Sequence, residues 1–204
     1  MIKAIIFDLG GVLVDLDYDA CVKKFKELLG FDRITEILDK SHQKGIFGDM
    51  EEGKITSDEF RAEILKDCRE GSSPEMIDEC IAAFLTGMED YKVDLLSEMS
   101  LKYDLYILSN NNPIAMTRSH KLWEEKGLDF KTVFKEEFIS CEMHLMKPGQ
   151  EIYREAIRRT GVKPEEILFI DDSLTNVEAA KKAGMKADLY IPGQDLRELI
   201  EAWL

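Results

Sequence analysis

The sequence predicts an α/β protein: a Rossmann-like, doubly wound parallel sheet core with a small inserted helical cap. Short, continuous apolar runs recur along the chain, and each ends at polar or turn-forming residues, which is typical of buried parallel strands. Helical patterns separate most of these runs, and strands that alternate with helices form a parallel sheet. A long stretch with helical patterns only interrupts this alternation after the first strand, which indicates an inserted helical unit.

The first strand is predicted at Ala4–Phe7, an apolar run that stops at Asp8. Later runs of the same form lie at residues 105–108, 138–139, 167–170 and 189–191, the second of them weaker than the others. Helices are predicted between them, where Asn112 and Pro113 resemble an N-cap residue and a first-turn proline. Further helices are predicted at residues 150–160, before Gly161, and at residues 175–183, before Gly184.

The segment from residue 16 to residue 85 shows no strand pattern and several helical ones. Thr56 and Glu59, for example, have the spacing of a capping box before an apolar run. We therefore expect two domains. Residues 1–15 together with 86–204 would form the Rossmann-like core, and residues 16–85 would form the helical cap.

Composition excludes several classes of partner. The formal net charge is −14 and the isoelectric point is near 4.7, so the protein should repel nucleic acids and anionic membranes. The four cysteines form no Cys-x-x-Cys pair, which argues against a zinc site. No apolar run approaches the roughly 20 residues of a membrane span. The N-terminal apolar run ends at Asp8 and is too short for a signal peptide. These features predict a cytoplasmic protein with reduced thiols.

Polar residues that could do chemistry follow the predicted strands, at the edge where open α/β sheets bind ligands. They are Asp8, Ser109, Asn110, Lys147, Asp171 and Asp172. If these strand ends lie side by side, the carboxylates repel one another unless a proton or a cation lies between them. Ligands that offer only oxygen favour Mg²⁺. A divalent cation, a lysine, a hydroxyl and loop N–H groups form a phosphate site, in which one carboxylate can become an aspartyl-phosphate that water cleaves.

Four motifs resemble those of the haloacid dehalogenase superfamily and occur in that family's order. They are FDLGGVLVD at residues 7–15, LSN at 108–110, KP at 147–148 and FIDDSLTN at 169–176. The resemblance spans nearly the whole chain, and it implies a hydrolase whose helical cap closes over the cleft. The DLGGVL start is most similar to small-cap sugar-phosphate phosphatases, including glucose-1-phosphate phosphatase.

The resemblance also implies a role for each matching residue. Asp8 would be the nucleophile, and Lys147 would neutralise the charge of the nucleophile and of the phosphate. Ser109 and the Asn110 N–H would hold the phosphoryl oxygens. The implied Mg²⁺ ligands all offer oxygen atoms: Asp8, the Gly10 carbonyl, Asp172 and Asp171, the last either as a ligand or as a partner of the ligands.

Two positions depart from the family's pattern. Most phosphatases of this superfamily have a second aspartate two residues after the nucleophile, which protonates the leaving oxygen, and here that position is Gly10. The loss of a general acid–base typically costs about 10²- to 10⁴-fold in rate. His144 stands where relatives often have glycine, so it is a candidate for the missing proton transfer. The alternative is that His144 is a solvent-facing loop residue.

These observations predict a Mg²⁺-dependent phosphatase that acts on a small phosphorylated metabolite such as a sugar phosphate. Two alternatives stay open at this point. A haloacid dehalogenase expels a halide that needs no proton, which suits Gly10, but it needs no metal, whereas Asp171 and Asp172 look like a metal site. A non-catalytic binding protein of the same fold would also tolerate Gly10, but it would not need Asp8 and Lys147.

Overall fold

The computed structural model describes residues 1–38 and 45–204. The strands are β1 (Ala4–Phe7), β2 (Asp15–Leu16), β3 (Leu85–Gly87), β4 (Asp104–Ser109), β5 (Phe134–Ile139), β6 (Ile167–Asp171) and β7 (Lys186–Leu189). The first six helices are α1 (Tyr18–Leu29), α2 (Ile34–Ile37), α3 (Gly45–Glu51), α4 (Ser57–Leu65), α5 (Pro74–Ala82) and α6 (Asp90–Ser100). The others are α7 (Pro113–Glu125), α8 (Phe130–Val133), α9 (Ser140–Met143), α10 (Gln150–Thr160), α11 (Leu174–Lys182) and α12 (Leu196–Glu201). A short 3₁₀ turn precedes β6.

Five strands form one parallel sheet in the order β5-β4-β1-β6-β7. Strand β1 lies at its centre, where Ile5 is in register with Leu105 of β4 on one side and with Leu168 of β6 on the other. The neighbours of β1 come later in the chain on both sides, so the strand order reverses at β1. Ligands of open α/β sheets bind at such a point, outside the carboxyl ends of the strands. The predicted Rossmann-like parallel sheet is confirmed.

Helices cover both faces of the sheet. Successive side chains of β1 point to opposite faces, as in any strand. Ile5 lies in a core with Leu95 of α6 and Trp123 of α7, whereas Ile6 lies in a second core with Tyr153 of α10. Because both faces are buried, the inner strands are apolar throughout, which is why they appear in the sequence as continuous apolar runs.

Helices α1 to α5 follow β1 before the sheet resumes, as expected for the inserted segment. The expectation that residues 16–85 contain no strand is wrong at both ends of that range. Strands β2 and β3 pair there as an antiparallel ribbon, with Leu16 opposite Leu85. Both domain boundaries predicted from the sequence lie within this ribbon. Strands this short are too brief to show an apolar–polar alternation, and only their pairing with a distant segment defines them.

Several helices begin or end at the positions that their capping residues predicted. Thr56 and Glu59 form a complete capping box at the start of α4. The Asn112 side chain accepts a hydrogen bond from the third residue of α7. Gly30 and Gly161, which follow α1 and α10, adopt left-handed φ values of 66° and 67°. Local sequence therefore determined these boundaries.

The last strand differs in position from its prediction. The apolar run at residues 189–191 predicted a strand there, but β7 spans Lys186–Leu189. Ala187 and Tyr190 are buried, whereas Ile191 is 61% exposed. An edge strand is covered less completely than a central one, so its hydrogen-bonded part need not coincide with the most apolar residues.

Two other properties concern the chain as a whole. The four cysteines are free rather than disulfide-bonded. Among the helices of residues 1–38 and 45–204, none is long and apolar enough to span a lipid bilayer.

Candidate active site

The carboxyl ends of β1, β4 and β6 meet at one cavity of about 240 Å³. Most site residues predicted from the sequence contribute to its wall: Asp8, Gly10, Ser109, Asn110, Lys147 and Asp172. The inserted segment contributes mainly apolar side chains to the same wall, which are Leu16, Cys21, Leu38, Phe47, Ile81, Phe84 and Leu85. The cavity therefore has a polar floor on the sheet and a largely apolar wall from the insert.

Lys147 forms the centre of the polar floor. Its ammonium nitrogen lies 2.9 Å from Asp8 Oδ1 and 2.7 Å from Asp171 Oδ2, and its side chain is 1% exposed. Burial by itself lowers the pKa of a lysine, but the two carboxylates keep the pKa of Lys147 above its usual value. Lys147 is therefore a fixed positive charge in contact with the predicted nucleophile.

Asp171 lies beneath the cavity rather than in its wall. It is fully buried, and besides Lys147 it accepts hydrogen bonds from the Ser173 N–H at 2.8 Å and from Asn176 Nδ2 at 3.0 Å. Both of its oxygen atoms thus have protein donors. Asp171 holds Lys147 and the start of α11 in position, and the more exposed Asp172 faces the cavity.

Oxygen atoms of Asp8, Asp171 and Asp172 lie within 4.8 Å of one another. Burial raises the pKa of Asp8 to about 7, with Lys147 acting against this rise and the neighbouring carboxylates adding to it. A single ammonium cannot balance three carboxylates, so a divalent cation would stabilise their ionised forms. Hard oxygen donors suit Mg²⁺. The residues present thus fit Mg²⁺, with Asp8, Gly10 and Asp172 all in the cavity wall.

Two glycines in the loop after Asp8 have different roles. Gly11 has a φ of 78°, and a Cβ atom there would lie 2.2 Å from Asp172 Oδ2. Glycine at this position therefore allows the loop to pack directly against the Asp172 carboxylate. Gly10 has no such backbone constraint, and a Cβ atom there would lie 3.0 Å from the tip of the Leu16 side chain. The apolar Leu16 side chain thus occupies the space that the side chain of a second aspartate at position 10 would enter.

Ser109 and Asn110, the residues predicted to bind phosphate, lie at the end of β4 and in the cavity wall. Ser109 is 3% exposed and contributes to the cavity wall. The Asn110 side chain forms a reciprocal pair of hydrogen bonds with the Lys147 backbone, donating from Nδ2 at 2.9 Å and accepting at Oδ1 at 2.8 Å. Asn110 therefore positions Lys147 through its side chain.

His144 lies outside the cavity wall that the described residues form. It follows α9 with a φ of 53°, it is exposed, and its ring lies against Gly53 of the insert, with Nδ1 2.7 Å from where a Cβ of Gly53 would be. This geometry gives no support to His144 as the acid–base group.

Glu51, at the end of α3, is a cavity residue that the sequence analysis did not identify. It lines the same cavity as Asp8 and is only 8% exposed. Burial raises the pKa of Glu51 to about 8. A sequence signal existed: Glu51 follows the buried Phe47 by four positions and Met50 by one, which places a carboxyl group on the apolar face of the helix.

Comparisons with known proteins identify the family. A sequence profile for hydrolases described as haloacid dehalogenase-like matches residues 2–184. The D-ribitol-5-phosphate phosphatase of Bacteroides thetaiotaomicron is 34% identical over 97% of this chain and 96% of its own length. A HAD family enzyme of the same organism, solved in complex with magnesium and inorganic phosphate, is 34% identical, with 98% of this chain and 99% of that chain covered and a TM-score of 0.87.

A more distant structure shares the fold alone. The L-2-haloacid dehalogenase of Xanthobacter autotrophicus superposes with a TM-score of 0.64 at 20% identity, covering 98% of this chain and 83% of that chain. The profile match and the full-length relative together show that the chain belongs to the haloacid dehalogenase-like hydrolase family.

Proposed function

We propose that the protein is a Mg²⁺-dependent phosphatase that hydrolyses small sugar or sugar-alcohol phosphates through an aspartyl-phosphate intermediate. The observation that carries the proposal is the contact between Lys147 and Asp8 at the floor of a cavity that also exposes Asp172. The D-ribitol-5-phosphate phosphatase and the magnesium and phosphate complex among the relatives support it.

Asp8 is the proposed nucleophile. Among the described residues, Lys147 Nζ and the Leu9 N–H both contact its Oδ1 atom, at 2.9 and 2.7 Å, so Oδ2 is the oxygen available to attack phosphorus. Bound Mg²⁺ would neutralise charge on the phosphoryl oxygens and favour the ionised form of Asp8. The Ser109 hydroxyl and the Asn110 N–H would bind phosphoryl oxygens, and Lys147 would stabilise the negative charge of the transition state.

The cavity suits a small leaving group. About 240 Å³ accommodates a sugar or a short polyol, and the insert closes one side of that space with Phe47, Ile81 and Phe84. Residues 16–85 would thus act as the cap that selects the substrate. Because the full-length relative is a D-ribitol-5-phosphate phosphatase, a sugar-alcohol phosphate is our first candidate substrate and glucose 1-phosphate our second.

Phosphate release from purified protein tests this proposal. D-ribitol 5-phosphate, glucose 1-phosphate and p-nitrophenyl phosphate are each assayed with Mg²⁺ and with excess chelator. We expect Mg²⁺-dependent turnover of at least one ester, and we expect Asp8→Asn to reduce it to background. Wild-type protein that releases no more phosphate than Asp8→Asn from any of the esters would refute the proposal. Metal-independent halide release from a 2-haloacid would instead favour the dehalogenase alternative.

A further inference from the structure

We propose that Glu51 is the general acid–base of this enzyme: it protonates the leaving-group oxygen and later accepts a proton from the hydrolytic water. The inference rests on the proposed phosphatase function and deepens it. It also assigns to the inserted segment a direct part in the chemistry.

The chemistry requires such a group because the proposed substrates are alkyl phosphates. Their leaving group is an alkoxide, a strong base that departs slowly unless it is protonated as the P–O bond breaks. Gly10 offers no side chain, and the position beside it holds Leu16. His144 does not contribute to the described wall of the cavity.

The other ionisable groups of the cavity wall are already committed or unsuited. Lys147 is fixed between two carboxylates, Asp8 is the nucleophile, and Asp172 belongs to the metal site. Cys21 also lines the cavity, but burial raises the pKa of its thiol to about 12, so a thiolate does not form near neutral pH to act as the base. Glu51 is the uncommitted acid in the part of the cavity that the structure describes.

The backbone of Glu51 is tied to the core at the phosphate-binding loop. The Ser140 hydroxyl, which is fully buried, donates to the Glu51 carbonyl at 2.6 Å and accepts from the Asn111 N–H at 3.0 Å. Asn111 lies two residues after Ser109, so one hydroxyl joins the insert to the loop that would hold the phosphoryl group. This contact fixes where α3 ends.

Asn112 is the hydrogen-bonding partner that lowers the pKa of the Glu51 carboxyl. The Asn112 Oδ1 atom accepts from the Ala115 N–H at 3.1 Å, so its amide nitrogen is the group that can donate to the Glu51 carboxyl. Such a donor orients the carboxyl and stabilises the carboxylate that remains after proton transfer. The arrangement supports both forms that an acid–base residue must adopt.

The protonation state of Glu51 also suits the role. Its pKa is raised to about 8: burial raises it most, the Asn112 hydrogen bond acts against this rise, and the negative charge of Asp8 adds to it. The titratable groups that interact electrostatically with it are Asp8 from the core and Cys141 from α9, and in the described residues no cation forms an ion pair with it. Glu51 is therefore largely protonated at pH 7 and can donate.

The two half-reactions balance. In the first, an Asp8 carboxylate oxygen forms a bond to phosphorus, the ester P–O bond breaks, and the Glu51 proton moves to the departing oxygen to release an alcohol. In the second, water attacks the phosphorus, the bond from phosphorus to the Asp8 oxygen breaks, and the water proton moves to Glu51. Phosphate leaves, and both carboxyl groups return to their starting states.

The test compares Glu51→Gln with wild type on two esters that differ in leaving-group basicity. D-ribitol 5-phosphate requires protonation of an alkoxide, whereas p-nitrophenyl phosphate releases a stable phenolate that requires little. We compare kcat/KM because it reports only the steps up to release of the alcohol or phenol, whereas the later hydrolysis of the aspartyl-phosphate is common to both esters. We expect kcat/KM for the alkyl ester to fall about 10²- to 10⁴-fold and kcat/KM for the aryl ester to change several-fold at most. Glu52→Gln is the matched control, since Glu52 pairs with Lys54 outside the described cavity wall, and it should leave both rates unchanged.

The outcomes separate the two proposals. If wild type hydrolyses the alkyl ester and Glu51→Gln does so equally well, the Glu51 inference is wrong and the phosphatase proposal stands. Equal losses of kcat/KM on both esters would show a structural role, which also overturns the inference. If wild type hydrolyses neither of these esters nor glucose 1-phosphate, the phosphatase proposal itself fails.

Wild-type protein alone provides a second test that needs no variant to fold. Alkyl-ester kcat/KM should decrease as the pH rises past about 8, while aryl-ester kcat/KM should not show this decrease. Effects from Asp8, Lys147 and the metal are common to both esters and cancel in the comparison. Superimposable alkaline limbs for the two esters would contradict the assignment of Glu51.

Discussion

Replacing Lys92 with methionine tests how the loop after Asp8 is supported. Lys92, on α6, is 1% exposed. Its ammonium donates to the Val12 carbonyl at 2.9 Å and lies 2.9 Å from the Glu89 carboxylate, above the Tyr190 ring. Val12 belongs to the same loop as Gly10. The lysine therefore connects α6 to the turn that shapes the floor of the active site.

The magnitude follows from these contacts. A charge-assisted hydrogen bond contributes about 1.5–3 kcal/mol, and its loss leaves a buried carbonyl without that donor. The pair with Glu89 adds at most about 1 kcal/mol, because the Glu89 side chain is 45% exposed and therefore screened. Methionine retains most of the apolar packing of the lysine stem, and it removes the desolvation cost of the ammonium, which offsets part of the loss. We expect Lys92→Met to lower the free energy of unfolding by about 2 kcal/mol.

Urea denaturation followed by circular dichroism measures this change. For a chain of this size, about 2 kcal/mol corresponds to a decrease of about 4–8 °C in Tm. Lys102→Met is the control, because Lys102 is exposed and its replacement should change the unfolding free energy by less than about 0.5 kcal/mol. An unfolding free energy that stays equal or increases in Lys92→Met would refute the reasoning, since it would mean that burying the ammonium costs more than its contacts contribute.

Three further predictions concern the site and its surroundings. Gly11→Ala should weaken Mg²⁺ binding at least about 10-fold in calorimetry, because its Cβ atom would displace the Asp172 carboxylate; unchanged affinity would contradict this. Lys147→Met should lower kcat by at least about 10²-fold in phosphate-release assays. Lys147→Arg should not restore the rate, since a planar guanidinium does not reproduce the contacts of the compact ammonium with Asp8 and Asp171. A hydrogen bond to Glu137 raises the pKa of His120, so the pair stabilises the fold at pH values below the ordinary histidine pKa and less as the pH rises through the folded-state pKa. His120→Gln should therefore lower the unfolding free energy more at pH 5.5 than at pH 8.5. The difference should be under about 1 kcal/mol because the ring is half exposed. The same loss at both pH values would argue against a role for the charged form.

The sequence determined the central strands and the loops that follow them. A strand buried on both faces needs an unbroken apolar run, and a polar residue follows the run where the strand leaves the sheet. For this reason the strands at Ala4–Phe7 and residues 167–170 could be predicted almost to the residue. The candidate residues Asp8, Ser109 and Lys147 could be proposed from short motifs, because each follows such a strand or its adjoining loop.

The features that could not be predicted from the sequence depend on contacts between segments that are distant in the chain. The ribbon of β2 and β3 exists because residues at both ends of the insert meet, and neither segment is long enough to predict a strand alone. The site-positioning contacts of Asn110 and Lys92 are of the same kind, since each joins residues far apart in the chain.

Glu51 likewise could not be identified as a site residue without the tertiary structure. In sequence it is one of many acidic residues in an acidic protein, and only its helical spacing from Phe47 sets it apart. The tertiary structure removes it from water and places it in the cavity that contains Asp8. A pKa depends on burial and on neighbouring charges, which are properties of the folded chain. The sequence alone therefore determined which carboxylates follow the strands, and only the tertiary structure decided which carboxyl group is held protonated beside them.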